Sequence, residues 1–298
     1  MKEWWGEFVE HDGLIRRDRV LAEVDPDRLL VALRSGRLRR VQRGIYLPRT
    51  VEYVPWAAAR AALISSGIPD AVASHRTAGR LHLLALPEER RCEDVTVALT
   101  ANRKDRKDLA FHTRSLKLGE TLIAGIVPVT SIPRTLADLA ESLDRFAAVW
   151  ALDDAMRRKL CTRLDIERAV SSWRGGAGCR LVPLRLGEAD GMAESVLETT
   201  GRLKLKDAGV PLPVPQYRVY ASGGREVARL DGAYPECKLG LEYDGRSVHD
   251  TPDAVFRDRA RQNDLAALGW MLLRFTWWDV MADGAHFVRT VERTIRAA

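Results

Sequence analysis

The chain of 298 residues carries 47 basic and 41 acidic side chains, a formal net charge of +6. A chain of this length is expected to form two or three domains with proper cores. Its composition, 46% hydrophobic and 30% charged, is that of an ordinary globular protein. It contains no apolar run of about 18 residues, which excludes a membrane span. The N-terminal segment lacks the apolar core of a signal peptide, so we expect a cytoplasmic protein.

The first 50 residues predict a small winged helix-turn-helix. Residues 13–22 and 25–34 have the pattern of two short helices, and Asp25 and Pro26 are a typical N-cap and first helical residue. Two short strands are predicted over residues 38–41 and 44–47. The phrase from Ser35 to Tyr46 is similar to the winged helix of the abortive-infection type IV antitoxin family, and the middle of the chain continues that resemblance.

The same segment is strongly basic, which favours DNA as its partner. No acidic residue occurs between Arg34 and Arg49, where a winged helix would meet the phosphate backbone. The alternative is a solvated basic hairpin on an unrelated helical lobe. The residues that we predict to bind nucleic acid here are Arg34, Arg37, Arg39, Arg40 and Arg43. A second basic cluster, residues 103–107, is expected in a hairpin loop.

Residues 51–186 predict a mixed α/β middle domain. Ser74 is expected to cap a helix that begins at His75, and residues 95–99 and 109–113 have strand-like patterns. Helices are predicted from Ser131 to about residue 174. A histidine at a helix start more often has a structural role than a catalytic one, so we interpret His75 as a structural hydrogen-bonding residue.

Three carboxylates are predicted to meet at one end of a sheet in the last third of the chain. Side chains alternate along a strand, so Leu239, Leu241 and Tyr243 in a core would leave Glu242 and Asp244 on the opposite face. Asp231 in the preceding strand would face out beside them. Clustered carboxylates repel one another unless a cation lies between them, and Mg²⁺ prefers oxygen ligands. The alternative is a pair of solvated acidic strands.

The segment around these carboxylates predicts the order helix, three strands, helix, strand over residues 187–298. It resembles the endonuclease-like domains related to very-short-patch repair endonucleases, within the PD-(D/E)XK nuclease superfamily. The residues that carry this resemblance are Ser195 to Glu198, Ala208, Gly209, Gln216, Asp231, Glu242 to Gly245, His249, Asp258, Arg259, Arg261 to Asn263, Gly269, Trp270, Arg274 and Phe275.

The resemblance implies a DNA endonuclease that uses Mg²⁺ or Mn²⁺. Asp231, Glu242 and Asp244 would be the metal ligands, with Glu198 and Gln216 completing the site. The superfamily's usual lysine two residues after the acidic position is here Asp244, and His249 would take over proton transfer. Arg259 and Arg261 would bind phosphate or pair with Asp258 and Asp264 on the same helix.

Two alternatives remain open beside the nuclease. The fold could serve a catalytically inactive DNA-binding regulator or antitoxin-like protein, or an interaction module for an unknown partner protein. A homodimer would be needed to cut both strands with one site in each copy. The predicted fold class is therefore mixed α/β and multi-domain: a winged helix, a mixed α/β region and a restriction-endonuclease-like α-β-β-β-α-β core.

Overall fold

The computed structural model describes residues 3–87, 92–101, 103–171, 173, 177–244 and 252–297, with the backbone alone for 252–255. The chain forms two compact units. The N-terminal unit is Met1–Ser142 with Cys161–Val182, and the C-terminal unit is Leu143–Leu160 with Pro183–Ala298. The predicted mixed α/β, multi-domain class is confirmed. Residues 143–160, predicted as part of the middle domain, group with the C-terminal unit; the three-domain division remains a prediction.

The start of the N-terminal unit has two helices and two later strands close to those predicted, but the first helix begins at Arg17 and not at residue 13, because Ile15 and Arg16 form a strand that pairs with Ile45 and Tyr46. Asp25 accepts a hydrogen bond from the Asp27 amide at 2.8 Å, and Pro26 follows it at the first helical position. Gly44 turns between the last two strands with φ +75°, a conformation that glycine adopts without steric cost. The elements are β1 (Ile15–Arg16), α1 (Arg17–Glu23), α2 (Pro26–Arg34), β2 (Leu38–Gln42) and β3 (Ile45–Pro48), and the antiparallel sheet has the order β1-β3-β2.

The rest of this unit is built around a five-stranded sheet. Its elements are α3 (Pro55–Ser66), β4 (Val72–Ala73), α4 (His75–Leu81), β5 (Glu93–Val97), β6 (Leu109–Thr113), β7 (Thr121–Ala124), β8 (Val127–Thr130) and α5 (Ile132–Ser142). The strand order is β6-β5-β4-β8-β7. The expected hairpin is wrong, because β5 and β6 pair in parallel. The basic loop is therefore a crossover connection.

Ser74 and His75 begin α4 in an unexpected way. The Ser74 side chain makes no capping hydrogen bond to the helix; its Oγ lies 3.0 Å from Nδ1 of His75. Ser74 is therefore the N-cap residue of α4, as predicted, but the expected capping hydrogen bond is absent because its hydroxyl contacts the neighbouring histidine. His75 itself is buried, has φ +47° and stacks on His112 with ring centroids 3.5 Å apart.

The C-terminal unit contains the predicted order of helix, three strands, helix and strand. The helices before it are α6 (Arg145–Arg157), α7 (Arg163–Val170), which belongs to the N-terminal unit, and α8 (Gly178–Glu188), within which the division between the units falls. The predicted core follows as α9 (Val196–Asp207), β9 (Val214–Tyr220), β10 (Glu226–Tyr234), β11 (Leu239–Asp244), α10 (Pro252–Ala267), β12 (Met271–Thr276) and α11 (Gly284–Ala297).

The sheet of this unit has the order β12-β11-β10-β9, with β12 parallel to β11 and the other pairs antiparallel. The predicted alternation in β11 is confirmed, because Leu239, Leu241 and Tyr243 share one hydrophobic cluster with Phe287 of α11. A second cluster contains Leu230 of β10 and residues of α10 and β9. None of the described helices is long and apolar enough to cross a membrane.

Candidate active site

Asp231 lies in the middle of the sheet, between the two strands that carry its predicted partners. Gly232 pairs with Leu241 of β11, so Glu242 is the next residue along that strand. On the other side, the pairs Leu230–Tyr217 and Gly232–Pro215 flank Asp231 and Gln216. Oδ2 of Asp231 accepts a hydrogen bond from the Tyr243 amide at 2.8 Å. Strand register alone therefore brings Asp231 next to both Gln216 and Glu242.

Glu198 comes from the first turn of α9, which the sequence positions by capping. The Ser195 hydroxyl accepts a hydrogen bond from the Glu198 amide at 3.2 Å, as a serine N-cap does. The Glu198 side chain is buried, and its Oε2 accepts hydrogen bonds from the Glu194 amide at 2.9 Å and from Nε2 of Gln216 at 2.8 Å. Glu198 is therefore fixed toward the sheet and is not a surface carboxylate of the helix.

Gln216 has an unusual backbone and an unsatisfied side-chain oxygen. Its φ of +52° is in the left-handed region, which costs a non-glycine residue energy. The amide nitrogen donates to Glu198, but the amide oxygen is buried and has no hydrogen-bond partner among the described residues. Strained backbone and orphaned polar atoms tend to occur at functional sites. The sequence indicates Gln216 as a site residue, but no pattern in it predicts the strained backbone.

Glu198 and Asp231 line the same small cavity of about 20 Å³, together with Arg202 and Tyr243. This volume accepts about one water molecule or one small ion. Gly201 of α9 makes the close approach of Tyr243 possible, because a Cβ atom there would lie 2.6 Å from the tyrosine hydroxyl oxygen. The cavity is therefore small, and carboxylates, an arginine and a tyrosine share its lining with apolar residues.

Among the described residues, Glu198 and Asp231 form no ion pair, because Arg202, which lines the same cavity, is paired with Asp153 and Asp190. Burial raises the pKa of Glu198 above its ordinary value, and the neighbouring charge of Asp231 raises it further. Burial likewise raises the pKa of Asp231, to which the charges of Glu242 and Glu194 add, while the Tyr243 amide and Arg229 act against this rise. A bound cation would relieve this repulsion and the cost of burial together.

Glu242 is also buried, but its carboxylate is already neutralised. Arg261 of α10 donates to both of its oxygens, and Nε of Arg274 donates to Oε2 at 3.1 Å. Arg274 is the register partner of Glu242 on β12. Asp258 of α10 binds the same two arginines, so two carboxylates and two guanidinium groups form one network. Of the two predicted roles of Arg261, the ion pair with Asp258 is present; Arg259 is exposed.

Asp244 and His249 mark the limit of what the structure describes at this site. Asp244 is the last residue of β11, half-buried, and pairs in register with Thr276. His249 lies outside the described residues, as does Gly245. The proton-transfer role of His249 therefore remains a prediction.

Asp231, Glu198 and Gln216 carry oxygen atoms of the kind that bind divalent cations, whereas Glu242 is held by two arginines. The carboxylates of buried Glu198 and half-buried Asp231, which form no ion pair among the described residues, and the unpartnered amide oxygen of Gln216 are the ligand types that Mg²⁺ and Mn²⁺ take. Among the described residues, no group of three or more His, Cys, Asp or Glu side chains is placed to hold a metal ion. Glu242 could join only after Arg261 and Arg274 release it.

Sequence reasoning missed a second charged network beneath this site. Asp153 of α6 is fully buried and accepts hydrogen bonds from Arg202 and Thr199 of α9, each at 2.8 Å. Its other oxygen accepts from the amides of Asp190 and Gly191. Arg202 stands four residues after Glu198, so the helical repeat could have indicated that the two share a face. Nothing in the sequence predicts that Asp153 of α6 is the partner of Arg202.

The five predicted arginines of the winged helix lie in different surroundings. Arg37 donates to the Ser35 hydroxyl at 3.1 Å and lies over the Trp5 ring at 5.3 Å. Arg39 donates to the carbonyl of Val51 at 3.0 Å. Arg34 is exposed, and Arg40 and Arg43 line an open cleft. Arg37 and Arg39 therefore have partners within the protein, whereas Arg40 and Arg43 face solvent.

Comparison with known proteins gives relatives but no function. No protein-family model matches the chain. Two uncharacterized proteins from strains of Mycobacterium tuberculosis, Rv2248 and MT2308, are each 35% identical over 164 residues, which is 55% of this chain. The chain spans about 60% of the length of these relatives. The crystal structure of the Mycobacterium tuberculosis protein RV2827C is similar over 74% of this chain and 89% of its own, with a TM-score of 0.44 and 14% identity.

Proposed function

We propose that this protein is a metal-dependent endonuclease that hydrolyses phosphodiester bonds in DNA. One observation carries the proposal: Asp231 and Glu198, from a strand and a helix, line one small cavity, and Gln216 of a third element is hydrogen-bonded to Glu198. They supply two carboxylates that form no ion pair among the described residues and whose pKa values are raised, and one amide oxygen without a hydrogen-bond partner there. A purely structural site would be expected to satisfy these groups, because unpaired buried polar atoms and charges destabilise a fold.

Mg²⁺ or Mn²⁺ is the cofactor that this set of oxygens would hold. Asp231, Glu198 and Gln216 would supply the first contacts, and Glu242 would add a ligand once its ion pairs with Arg261 and Arg274 open. When bound, such an ion lowers the pKa of a water ligand and neutralises charge on the scissile phosphate. Asp244 at the end of β11 would orient the attacking water. The arginines released from Glu242 would be available to the phosphate.

The test is single-turnover cleavage of a labelled duplex and a labelled single strand, in Mg²⁺ and in Mn²⁺, with an EDTA control. Asp231→Ala should lower the rate by about 10³-fold, since loss of a metal-ligand interaction costs several kcal/mol in the transition state. Glu236→Ala is the matched control, because Glu236 is an exposed carboxylate in the turn between β10 and β11. Absence of cleavage by the wild type, or equal rates for wild type and Asp231→Ala, would refute the nuclease.

The second candidate is a catalytically inactive DNA-binding regulator or antitoxin-like protein. The observation that favours it is the network around Glu242. Arg261 and Arg274 form ion pairs with this carboxylate and so take the place of a metal ion there. In that case DNA would bind in EDTA and in Mg²⁺ with the same affinity and remain intact. Cleavage that needs Asp231 and a metal ion would exclude this second candidate.

A further inference from the structure

The strongest concentration of positive charge lies in the N-terminal unit, in an open cleft beside the winged helix. We call it the basic cleft. Its volume is about 910 Å³, and its cations come from three separate segments of the chain. These are Arg17 at the start of α1, Arg40 in β2 with Arg43 in the turn that follows it, and Arg103, Lys104 and Arg106 in the loop before β6. The sequence predicted a role only for Arg40 and Arg43.

The positive charges of the basic cleft have few partners within the protein. Among the described residues, no ion pair or hydrogen bond engages the side chains of Arg17, Arg40, Arg43, Arg103 or Lys104. The two acidic residues of the cleft are already occupied: Asp18 pairs with Arg16 at 2.6 Å, and Asp105 accepts from the Phe111 amide at 2.8 Å. The cleft therefore carries an excess of positive charge that its own carboxylates do not neutralise.

The excess of positive charge in the cleft also acts on Arg106, which is partly buried. Burial lowers the pKa of Arg106, and the nearby charges of Arg43 and Arg103 lower it further, against the opposing effect of Asp108. The guanidinium group is nevertheless held in place. It donates to the Ser65 carbonyl at 2.9 Å and to the Ser65 hydroxyl at 3.3 Å, and it lies 5.3 Å from the centre of the Phe111 ring.

The two walls of the cleft are joined by a direct hydrogen bond. Gln42 of β2 is almost fully buried, and its side-chain amide donates to the Asp108 carbonyl at 2.8 Å. The β2–β3 turn and the loop of residues 103–108 are thus fixed to each other. A fixed concave surface with unpaired cations is a preorganised site for anions, whereas scattered surface arginines would be free to move apart.

The size of the cleft argues for a polyanion. A volume of about 910 Å³ is far larger than one phosphate needs. Six cations along an open cleft suit the repeated phosphates of a nucleic-acid strand, which proteins bind with arginine, lysine and backbone amides. The wing of a winged helix is the part that contacts the DNA backbone or minor groove. The basic cleft begins at that wing.

We propose that the basic cleft binds the phosphate backbone of DNA, with the loop of Arg103, Lys104 and Arg106 as a second wall opposite the wing. The DNA-binding surface then extends beyond the winged helix into the mixed α/β region. This inference rests on DNA as the partner in the proposed function. It is independent of whether the C-terminal unit cleaves the DNA.

The test is equilibrium binding of a short labelled duplex in EDTA, measured over a range of salt concentrations. Arg103→Ala with Lys104→Ala should weaken binding and reduce the slope of log K against log salt by about two, one for each lost phosphate contact. Arg43→Ala, on the opposite wall, should reduce it by about one. These exposed substitutions should leave stability within about 0.5 kcal/mol, which thermal unfolding checks.

Lys117→Ala with Arg168→Ala is the matched control, because it removes the same charge from exposed positions of the same unit outside the cleft. It should keep the wild-type slope. Equal slopes for the two double variants would mean that net charge alone decides binding, and would overturn the inference. So would a wild-type protein that binds no duplex in EDTA.

Two further arms separate the sources of phosphate and the two proposals. A mononucleotide or inorganic phosphate should displace the duplex no better than potassium chloride of the same ionic strength; stronger displacement would indicate a nucleotide site and overturn the DNA assignment. Cleavage in Mg²⁺ together with unaltered binding by Arg103→Ala, Lys104→Ala would refute the cleft and leave the nuclease. Weakened binding by that variant together with no cleavage by the wild type would support DNA binding by the cleft and refute the nuclease.

Discussion

The arginines of this protein occupy two kinds of surroundings. In the basic cleft, Arg17, Arg40 and Arg43 have no partner among the described residues and face solvent. In the C-terminal unit, Arg202 and Arg261 are tied to buried carboxylates at short distances. The difference shows which charges hold the fold together and which are left for a partner.

The carboxylates of the C-terminal unit also fall into two groups, one with guanidinium partners and one without an ion pair among the described residues. Asp153 and Glu242 are buried and each meets one or two guanidinium groups. Glu198 and Asp231 lie in the same unit, yet they form no ion pair among the described residues, and burial and neighbouring carboxylates raise the pKa of both. Within the part of the chain that the structure describes, cations without a partner in one unit and two carboxylates without an ion pair in the other are the features that packing alone does not explain.

Removing a paired arginine should have the largest effect on stability. In Arg202→Ala, Asp153 would remain buried without its cation, and breaking such a pair costs about 3–5 kcal/mol. Arg40→Ala, in the basic cleft, should change stability by no more than about 0.5 kcal/mol. Urea unfolding of both variants measures the contrast. The double variant Asp153→Asn, Arg202→Ala should recover part of the loss, since the uncompensated charge is gone.

Similar losses in Arg202→Ala and Arg40→Ala would break the comparison. They would mean that Arg40 contributes as much to the free energy of unfolding as Arg202 does. A small loss in both variants would mean instead that water or a rearranged side chain compensates Asp153.

Local sequence signals predicted the elements well. The start of α2 followed from Asp25 and Pro26, and the face of β11 followed from the alternation of Leu239, Leu241 and Tyr243. Each of these features depends on residues close together in the chain. Capping and strand alternation are decided locally, which is why a sequence contains them.

The partners of the candidate site could not be predicted in the same way. The sequence placed Glu242 among the metal ligands, but its pairing with Arg261 and Arg274 depends on where α10 and β12 pack. The backbone of Gln216 is strained only because the sheet holds it there. The parallel pairing of β5 and β6 was likewise missed, because a short basic loop indicates a turn more readily than a crossover.

A divalent cation should stabilise the protein through the unpaired carboxylates. A ligand that binds only the native state adds about 2.7 kcal/mol at a concentration one hundred times its dissociation constant. Mn²⁺ should therefore raise the melting temperature of the wild type but scarcely that of Asp231→Asn. Glu236→Gln, an exposed change in the same unit, should respond as the wild type does. An equal rise in melting temperature for wild type and Asp231→Asn would place the metal elsewhere.

The smallest predicted effect is on the pH dependence of stability without metal. The pKa of Asp231 is raised above its ordinary value of 3.8 by burial and by the charge of Glu242, and the pKa of Glu198 is raised above 4.5. Between the ordinary and the raised pKa, the native state keeps a proton that the unfolded chain has released. The contribution of each group to stability is therefore complete below its ordinary pKa and is lost as the pH rises through the raised one.

Asp231→Asn should flatten this decline, because it removes one of the two groups and also the charge that raises the pKa of Glu198. A tenfold difference in proton affinity between the folded and unfolded states corresponds to about 1.4 kcal/mol of stability. Urea unfolding in EDTA, at a series of pH values from about 4 upward, measures the free energy of unfolding of wild type and variant. Subtracting the two curves removes the contribution of the other buried carboxylates, which both proteins share. Parallel curves would mean that Asp231 is already compensated. A steeper decline in the wild type that Mn²⁺ abolishes would identify the missing counter-charge as a cation bound at Asp231.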